Sequence, residues 1–426
     1  KDTYMKEYPR LLVLSNNSLS KSNSNGRTLG SLLQGWPKER LAQFAIMCID
    51  PDFDVCENYY QVRDSEALKS ILRGETCVTG INVKSSVSTI QQSSYGKSGK
   101  TAMKMLARNA VWNLGRWNGK RFKQWIDDFA PEAVMVQSGD SAFMLRLARK
   151  IACRRNIPLL MFNTEGYIFF DHNFLTHHWS DLLFFPIFKK QYYREFKKTI
   201  KTTAFAIYAN DKLKNDYQSY FEHHADTIYT ASSLEFHFKS SISKTPRISY
   251  LGNLGIKRPE ALVEVGQVLQ SISPDLHIDV YGNAKPESIN LLNNAPGVEY
   301  KGFVSYDRVK EIIYESDILF HVEKNDSVLC KELRYAFSTK IADSICSGTP
   351  FVLYAPSHLA CSQYVRETGA GWQVSTPVEL KAILIEILDS HGIAAVSARA
   401  HETATNNHNG IKNAERFRQN VINAFR

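Results

Sequence analysis

The sequence predicts an α/β protein of two doubly wound domains, each a parallel sheet wrapped by helices, with a ligand cleft between their strand ends. Three observations predict it. Short apolar runs without polar alternation recur along the chain, as in strands covered on both faces. Between them lie stretches with apolar residues three or four apart, the spacing of amphipathic helices. The pattern pauses in a Ser-, Thr- and Lys-rich stretch from Ser232 to Pro246, then restarts.

In the first half, strands are predicted at 10–15, 43–48, 133–137, 158–163, 204–209 and 226–230. A polar loop is predicted from Asn16 to Asn25, closed by Gly26, with a helix beginning near Arg27. A further helix is predicted over 141–155. In the second half, strands are predicted at 248–251, 277–281, 298–300, 318–321 and 351–354, with helices at 259–271 and 306–315 among those between them.

The chain has 426 residues, 43% hydrophobic and 22% charged. That suits two ordinary domains and excludes disorder, collagen and coiled coil as descriptions of the whole. The longest clean apolar run, Leu182 to Phe188, is far short of the ~20 residues of a spanning helix. The opening run KDTYMKEYPRLLVLS does not read as a signal peptide, and without an initiator Met an upstream segment stays open. The seven cysteines form no CxxC pair and no zinc-type cluster. They read as reduced, mostly buried thiols of a cytoplasmic protein.

The net charge is +9, and it is uneven. Residues 1–225 hold 32 Lys and Arg against 21 Asp and Glu; the remainder hold 20 against 22. An excess confined to one half points to an anionic partner for that domain, with a merely solvated basic face as the alternative.

The most informative run is Phe337-Ser-Thr-Lys-Ile-Ala-Asp-Ser-Ile-Cys-Ser-Gly-Thr-Pro-Phe351. Ser338 and Thr339 mark a helix start whose free N–H groups can meet an anion. Lys340 and Asp343 are three apart and share a helix face. Gly348 ends the helix. A cation near a helix N-terminus suits a phosphate, and a carboxylate one turn on suits a ribose diol. A capped helix carrying a surface ion pair has the same spacing.

This run resembles the donor-binding segment of GT-B glycosyltransferases, S-x-K-x-x-[DE]-x-x-x-x-G-x-P. Further elements follow in the family's order. Tyr250-Leu-Gly-Asn-Leu-Gly255 with Lys257 and Arg258 resembles the loop opening the donor domain. Val280-Tyr-Gly282 resembles the next strand end. Lys301-Gly-Phe-Val-Ser305 resembles the loop whose backbone faces the nucleobase. Ser316-Asp317-Ile318-Leu319 resembles the element before the sugar-facing loop. Asn16-Asn17, Asn25-Gly26, Gln137-Ser-Gly-Asp140, Phe162-Asn-Thr-Glu165 and His321-Val-Glu323 are similar to bacterial surface-polysaccharide transferases.

The resemblance implies two Rossmann-like domains, 1–235 on the acceptor side and 246–405 on the donor side, with a last helix over 411–426 packing back on the first. It implies transfer of a hexose from a nucleotide-diphosphate sugar to a saccharide acceptor, lipid-linked, in surface polysaccharide assembly. No metal or other cofactor is implied. The implied donor-binding set is Gly26, Asn253, Lys257, Arg258, Gly282, Phe303, Val304, Ser338, Thr339, Lys340 and Asp343. There Asp343 takes the ribose and Lys340 the diphosphate.

One position departs from the pattern. The retaining EX7E class carries a Glu eight residues before its second acid; here Tyr335 stands before Asp343. Glu323 is the candidate to serve the donor sugar instead, against a plain surface-loop acid, and retention against inversion stays open. Asp140 and Glu165, each after a strand, are the candidate catalytic acids of the first domain; Asp140 reads equally as a helix N-cap. His172, His177 and His178 show no metal pattern. Asp50-Pro-Asp52-Phe-Asp54 contains DxD triplets but reads as a turn.

The first domain is also expected to dock on an anionic membrane at the inner, cytoplasmic face. The stretch Lys189 to Lys201 carries six basic residues and one acid, and Lys97, Lys100, Lys104 and Arg108 precede Trp112, Trp117 and Trp125 among further basic residues. Aromatic and basic residues together suit a headgroup interface, against a basic face that only aids solubility or aromatics buried in the core. Competing readings are a sugar-nucleotide 2-epimerase and a non-catalytic nucleotide-sugar-binding membrane subunit. Nucleic acid is disfavoured, since no groove-reading or stacking motif accompanies the charge.

Overall fold

The computed structural model describes residues 7–19, 24–47, 51–73, 80–81, 99–174, 176 and 178–425. The chain divides into two compact units, residues 1–229 with 410–426, and residues 230–409.

The first unit runs β1 (Leu11–Asn17), α1 (Ser24–Leu32), β2 (Leu41–Met47), β3 (Asn58–Gln61), α2 (Asp64–Arg73), β4 (Gly80–Ile81), α3 (Ala102–Leu114), α4 (Lys120–Phe129), β5 (Ala133–Ser138), α5 (Ala142–Arg155), β6 (Leu159–Asn163), α6 (Asp181–Ile200), β7 (Phe205–Tyr208), α7 (Asp211–Gln218) and β8 (Ala225–Thr227). The strands lie in the order β4-β3-β2-β1-β5-β6-β7-β8, all parallel but the edge strand β4. Strand order reverses between β1 and β5. Crevices at such switch points are where open α/β sheets bind ligands.

The second unit runs β9 (Ile248–Leu251), α8 (Arg258–Ile272), β10 (Ile278–Tyr281), α9 (Pro286–Asn293), β11 (Val298–Gly302), α10 (Tyr306–Glu315), β12 (Ile318–Val322), α11 (Ser327–Glu332), α12 (Thr339–Ser347), β13 (Phe351–Tyr354), α13 (Ala360–Thr368), β14 (Trp372–Val374), α14 (Pro377–Leu388) and α15 (Ile393–Asn407). Its sheet is wholly parallel, in the order β11-β10-β9-β12-β13-β14, and switches between β9 and β12. Central strands such as β1, β5 and β12 are buried along most of their length, as helices on both faces require.

The last helix, α16 (Gly410–Asn423), packs on α1 within the first unit. Its Phe417 and Val421 are fully buried, and Phe417 meets Trp36 at 5.9 Å between ring centroids. Asn413 Nδ2 donates to Tyr229 O at 2.9 Å, and Arg416 pairs with Asp226.

Several expectations need correction. The helix begins at Ser24, so Gly26 lies in its first turn and does not close a loop. The stretch 232–246 belongs to the second unit, with the division at 229/230. Trp112, Trp117 and Trp125 are buried and meet no interface. They form a core cluster with Phe44, Tyr60, Phe122 and Phe143; Trp112 stacks on Phe143 at 4.6 Å, and its Nε1 donates to Asp64 at 2.7 Å. Interleaved basic residues misled here, because on a helix they alternate with the buried face. Asp52 makes a local turn, its Oδ1 accepting from Asp54 N at 3.0 Å. Asp50, Cys48, Cys77, Lys97 and His177 lie outside the described residues. Cys56, Cys330, Cys346 and Cys361 are buried free thiols, while Cys153 is exposed.

Two outcomes follow. Phe417→Ala should destabilise the first unit by about 3–5 kcal/mol, read by urea unfolding with tryptophan fluorescence; an unchanged midpoint would contradict the packing. The second concerns His408, which bonds Thr230 O at 2.7 Å and the Tyr364 hydroxyl at 2.8 Å. Burial pushes its pKa from 6.5 down to about 4. Between those values the unfolded chain binds a proton that the folded one refuses, so stability should fall as pH drops from 6.5 towards 4, by up to ~3 kcal/mol. His408→Gln should flatten that fall; an equally steep loss in the variant would contradict it.

Candidate functional site

The second unit has a cavity of about 350 Å³ at the carboxyl ends of its strands. Its floor is apolar, from Leu251, Val309, Ile313, Leu319 and Phe320; its rim carries Asn253, Tyr281, Asn283, Phe303, Val304, Lys340, Asp343 and Ser344. Close backbone approach builds it. Gly252 N donates to Tyr281 O and Gly282 N to Gly302 O, both at 2.9 Å. A β-carbon on Gly282 would stand 1.9 Å from Gly252 O, so no larger residue fits.

On the opposite wall, Ser338 caps α12, its side chain accepting from Lys340 N at 3.3 Å. Gly348, at φ +77°, closes the same helix in the left-handed conformation. Lys340 and Asp343 both face the cavity from the first turns between these caps. Asp343 Oδ1 accepts from the Ser232 hydroxyl at 2.6 Å. On the other side Phe303 stands 69% exposed at the rim.

Beside the cavity, at the β9/β12 switch point, lies a buried ion pair. Arg258 opens α8 after two left-handed residues, Ile256 (φ +59°) and Lys257 (φ +55°). A β-branched residue in that region is a strained outlier of the kind found at ligand clamps. Arg258 grips Glu323 with two bonds, Nε at 3.1 Å and Nη2 at 2.5 Å, and its Nη1 donates to Asn253 O at 3.2 Å. His321 Nε2 lies 3.0 Å from Glu323. Burial raises the Glu323 pKa, but His321 and Arg258 overcome it and hold the carboxyl below its ordinary value. Burial, aided by the Arg258 and Lys340 charges, holds His321 below the ordinary histidine value against Glu323.

Glu323 is therefore no surface-loop acid. The sequence does not show this, because its partner is 65 residues away. Ser232, 111 residues from Asp343, carries no motif signal either. Tyr281 lies inside the VYG run, and Asn283 directly follows it. Of the expected donor residues, Asn253, Gly282, Phe303, Val304, Lys340 and Asp343 line the cavity, Ser338 and Thr339 begin its helix, and Arg258 joins it through Asn253. Lys257 is exposed and pairs with Asp326 at 2.6 Å. Gly26 lies in the other unit.

The first unit has its own charged cluster at its switch point. Asp140 follows β5 and is buried. It accepts from Asn16 Nδ2 and Lys100 Nζ, both at 2.9 Å, and lies 3.8 Å from Arg108. Burial opposes its charge, but Lys100 and Arg108 together hold its pKa below the ordinary carboxylate value. It does not cap α5; Ser141 occupies the N-cap, without a side-chain cap bond. Glu165 is half-buried after β6, its carbonyl accepting from the Tyr217 hydroxyl at 3.2 Å. His172 pairs with Asp171 and His178 with Ser180. Among the described residues, one group has metal-ligand geometry, His277, Asp279 and Glu299, and Lys301 already pairs with both of its acids.

No protein-family model and no curated protein sequence matches this chain. Solved structures do match its fold. The crystal structure of Anabaena Alr3699/HepE in complex with UDP superposes with a TM-score of 0.59 at 12% identity, over 96% of this chain and 98% of that one. The same protein in complex with UDP and glucose gives 0.56 at 12%, over the same shares. The architecture is the GT-B fold of glycosyltransferases, two Rossmann-like α/β units.

Glu323→Gln should leave the Arg258 guanidinium buried without its counter-charge and cost about 3–5 kcal/mol in urea unfolding. The double variant Arg258→Met/Glu323→Leu should recover most of that loss. Additive losses in the double variant would mean the pair is not coupled.

Proposed function

We propose that this protein is a glycosyltransferase that moves a hexose from a uridine-diphosphate sugar to a saccharide acceptor. The observation that carries the reading is the second unit's cavity, which sets Lys340 and Asp343 on one face of a capped helix opposite the exposed Phe303–Val304 loop. In the proposed pose the base lies against that loop and the ribose diol meets Asp343. The diphosphate lies near Lys340 and the α12 N-terminus, whose positive dipole end favours an anion. UDP is the nucleotide held by the HepE structures of the same fold.

As the sugar departs, negative charge grows on the β-phosphate, and the sugar becomes oxocarbenium-like. Lys340 and Arg258 would stabilise that charge, with exposed Lys257 as a further cation. Three of the five guanidinium N–H groups of Arg258 are spent on Glu323 and Asn253. Glu323 would then act chiefly by holding Arg258 on the sugar side of the site. Asp140 and Glu165 are assigned to the acceptor. The lowered pKa of Asp140 suits it to fix Lys100 and accept acceptor hydroxyls more than to remove a proton at neutral pH, so Glu165 is the candidate base.

The acceptor is proposed to be a lipid-linked saccharide at the inner face of the membrane, in bacterial surface polysaccharide assembly. The cation set replaces a metal in this reading.

Lys340→Ala should lower kcat/KM about 100-fold or more, the usual cost of one charge-stabilising contact at a transition state. Asp343→Ala should raise KM for the UDP-sugar more than it lowers kcat. Turnover should survive chelator. Near-native turnover of both variants at low donor concentration would contradict the assignment; so would activity lost to chelator and restored by Mg²⁺ or Mn²⁺, or epimerisation of the donor without acceptor.

A further inference from the structure

Helix α6 has two unlike faces. One is core, with Phe185, Phe188, Tyr192, Phe196 and Ile200 buried. The other begins just before the helix and keeps three- and four-residue spacing throughout. It opens with Trp179, Leu182, Leu183 and Ile187, exposed by 70%, 83%, 64% and 56%. It continues with exposed Lys190, Arg194, Lys197, Lys198 and Lys201. An apolar ridge thus runs directly into a basic one, along about 30 Å of helix.

The helix exposes no acid. Asp181 is buried, accepting from Ala102 N at 2.6 Å and from Asn173 and Thr176. Glu195 is buried and held by Arg149 of the neighbouring helix α5 at 3.0 Å. That helix widens the basic surface with Arg146, Lys150 and Arg154. Burial and the charges of Arg146, Arg154 and Arg149 lower the Lys150 pKa, a mark of like charges crowded together.

We propose that this α5–α6 face seats the protein on an anionic lipid bilayer, with the Trp179–Leu182–Leu183–Ile187 ridge inserted below the headgroups. It rests on the transferase reading for its purpose, which is to bring the first unit to a lipid-linked acceptor. The chemistry selects the occupant. A bilayer surface offers an apolar layer beside a uniformly anionic one, and a tryptophan at the edge of the ridge suits the boundary between them. A nucleic acid has no use for a Leu-Leu-Ile ridge. No described helix is long and apolar enough to cross a membrane; the proposed attachment lies in the plane of the surface.

The test is co-sedimentation with vesicles of phosphatidylcholine alone or mixed with phosphatidylglycerol. The protein should bind the mixed vesicles, and salt should weaken that binding. Addition of those vesicles should shift tryptophan emission to the blue, and Trp179→Phe should remove the shift. The variant Lys190→Ala/Arg194→Ala/Lys197→Ala/Lys198→Ala should lose more than tenfold in partitioning. Leu182→Ser/Leu183→Ser/Ile187→Ser should lose binding as well. Both variants should keep the thermal shift produced by UDP, which separates failure of this proposal from failure of the donor-site reading. Equal binding to both vesicle types, no binding, or unaffected variants would overturn it. A dimer in sedimentation velocity that the Leu/Ile variant dissociates, without vesicle binding, would instead assign the ridge to self-association and overturn it too.

Discussion

At one point in the second unit, two loops touch backbone to backbone. Gly282 packs so closely on the Gly252 carbonyl that a β-carbon there would stand 1.9 Å away. The ends of β9, β10 and β11 are thereby drawn together, through Gly252 N to Tyr281 O and Gly282 N to Gly302 O. The cavity exists because these strand ends meet while the α12 wall stands apart. The loop after β9 then turns through left-handed Ile256 and Lys257, which delivers Arg258 to the first turn of α8, in reach of Glu323. A strained stretch of this kind persists only when its surroundings over-determine it. Here the buried ion pair at one end and the glycine contact at the other do so.

The electrostatics follow from burial. A buried charge is tolerated when it is paired and hydrogen-bonded. Arg258 and Glu323 pair directly and His321 Nε2 bonds Glu323, so the site keeps a guanidinium fixed in a water-poor place before any anion arrives. Groups held in advance cost no reorganisation at the moment of reaction. The first unit repeats the device at its own switch point, where Asp140 gathers Asn16, Lys100 and Arg108. Each sheet thus places a compensated charge cluster where its strand order reverses, which is the position the doubly wound topology leaves open.

What the sequence reveals is mostly local. The α/β class and the fully apolar strands can be read from runs such as LLVLS and AVMVQ. The caps of α12 can be read from Ser338 and Gly348, because capping is decided within a few residues. Strands β3 and β14 are missed. NYYQ and WQV mix polar and aromatic residues and lack the run that marks a doubly covered strand. The Trp112, Trp117 and Trp125 cluster is misjudged for a related reason: residue type suggests an interface, and only packing shows a core. Glu323 and Ser232 are obscure because their partners come from distant segments, and no spacing rule links residues so far apart.

The most direct measurement of the central claim is a crystal structure of the protein with UDP. The account predicts the nucleotide in the second unit's cavity, its base against Phe303 and Val304, its ribose on Asp343 and its diphosphate at Lys340 and the start of α12. UDP bound elsewhere on the molecule, or in that cavity with its phosphates turned away from Lys340 and Arg258, would contradict it.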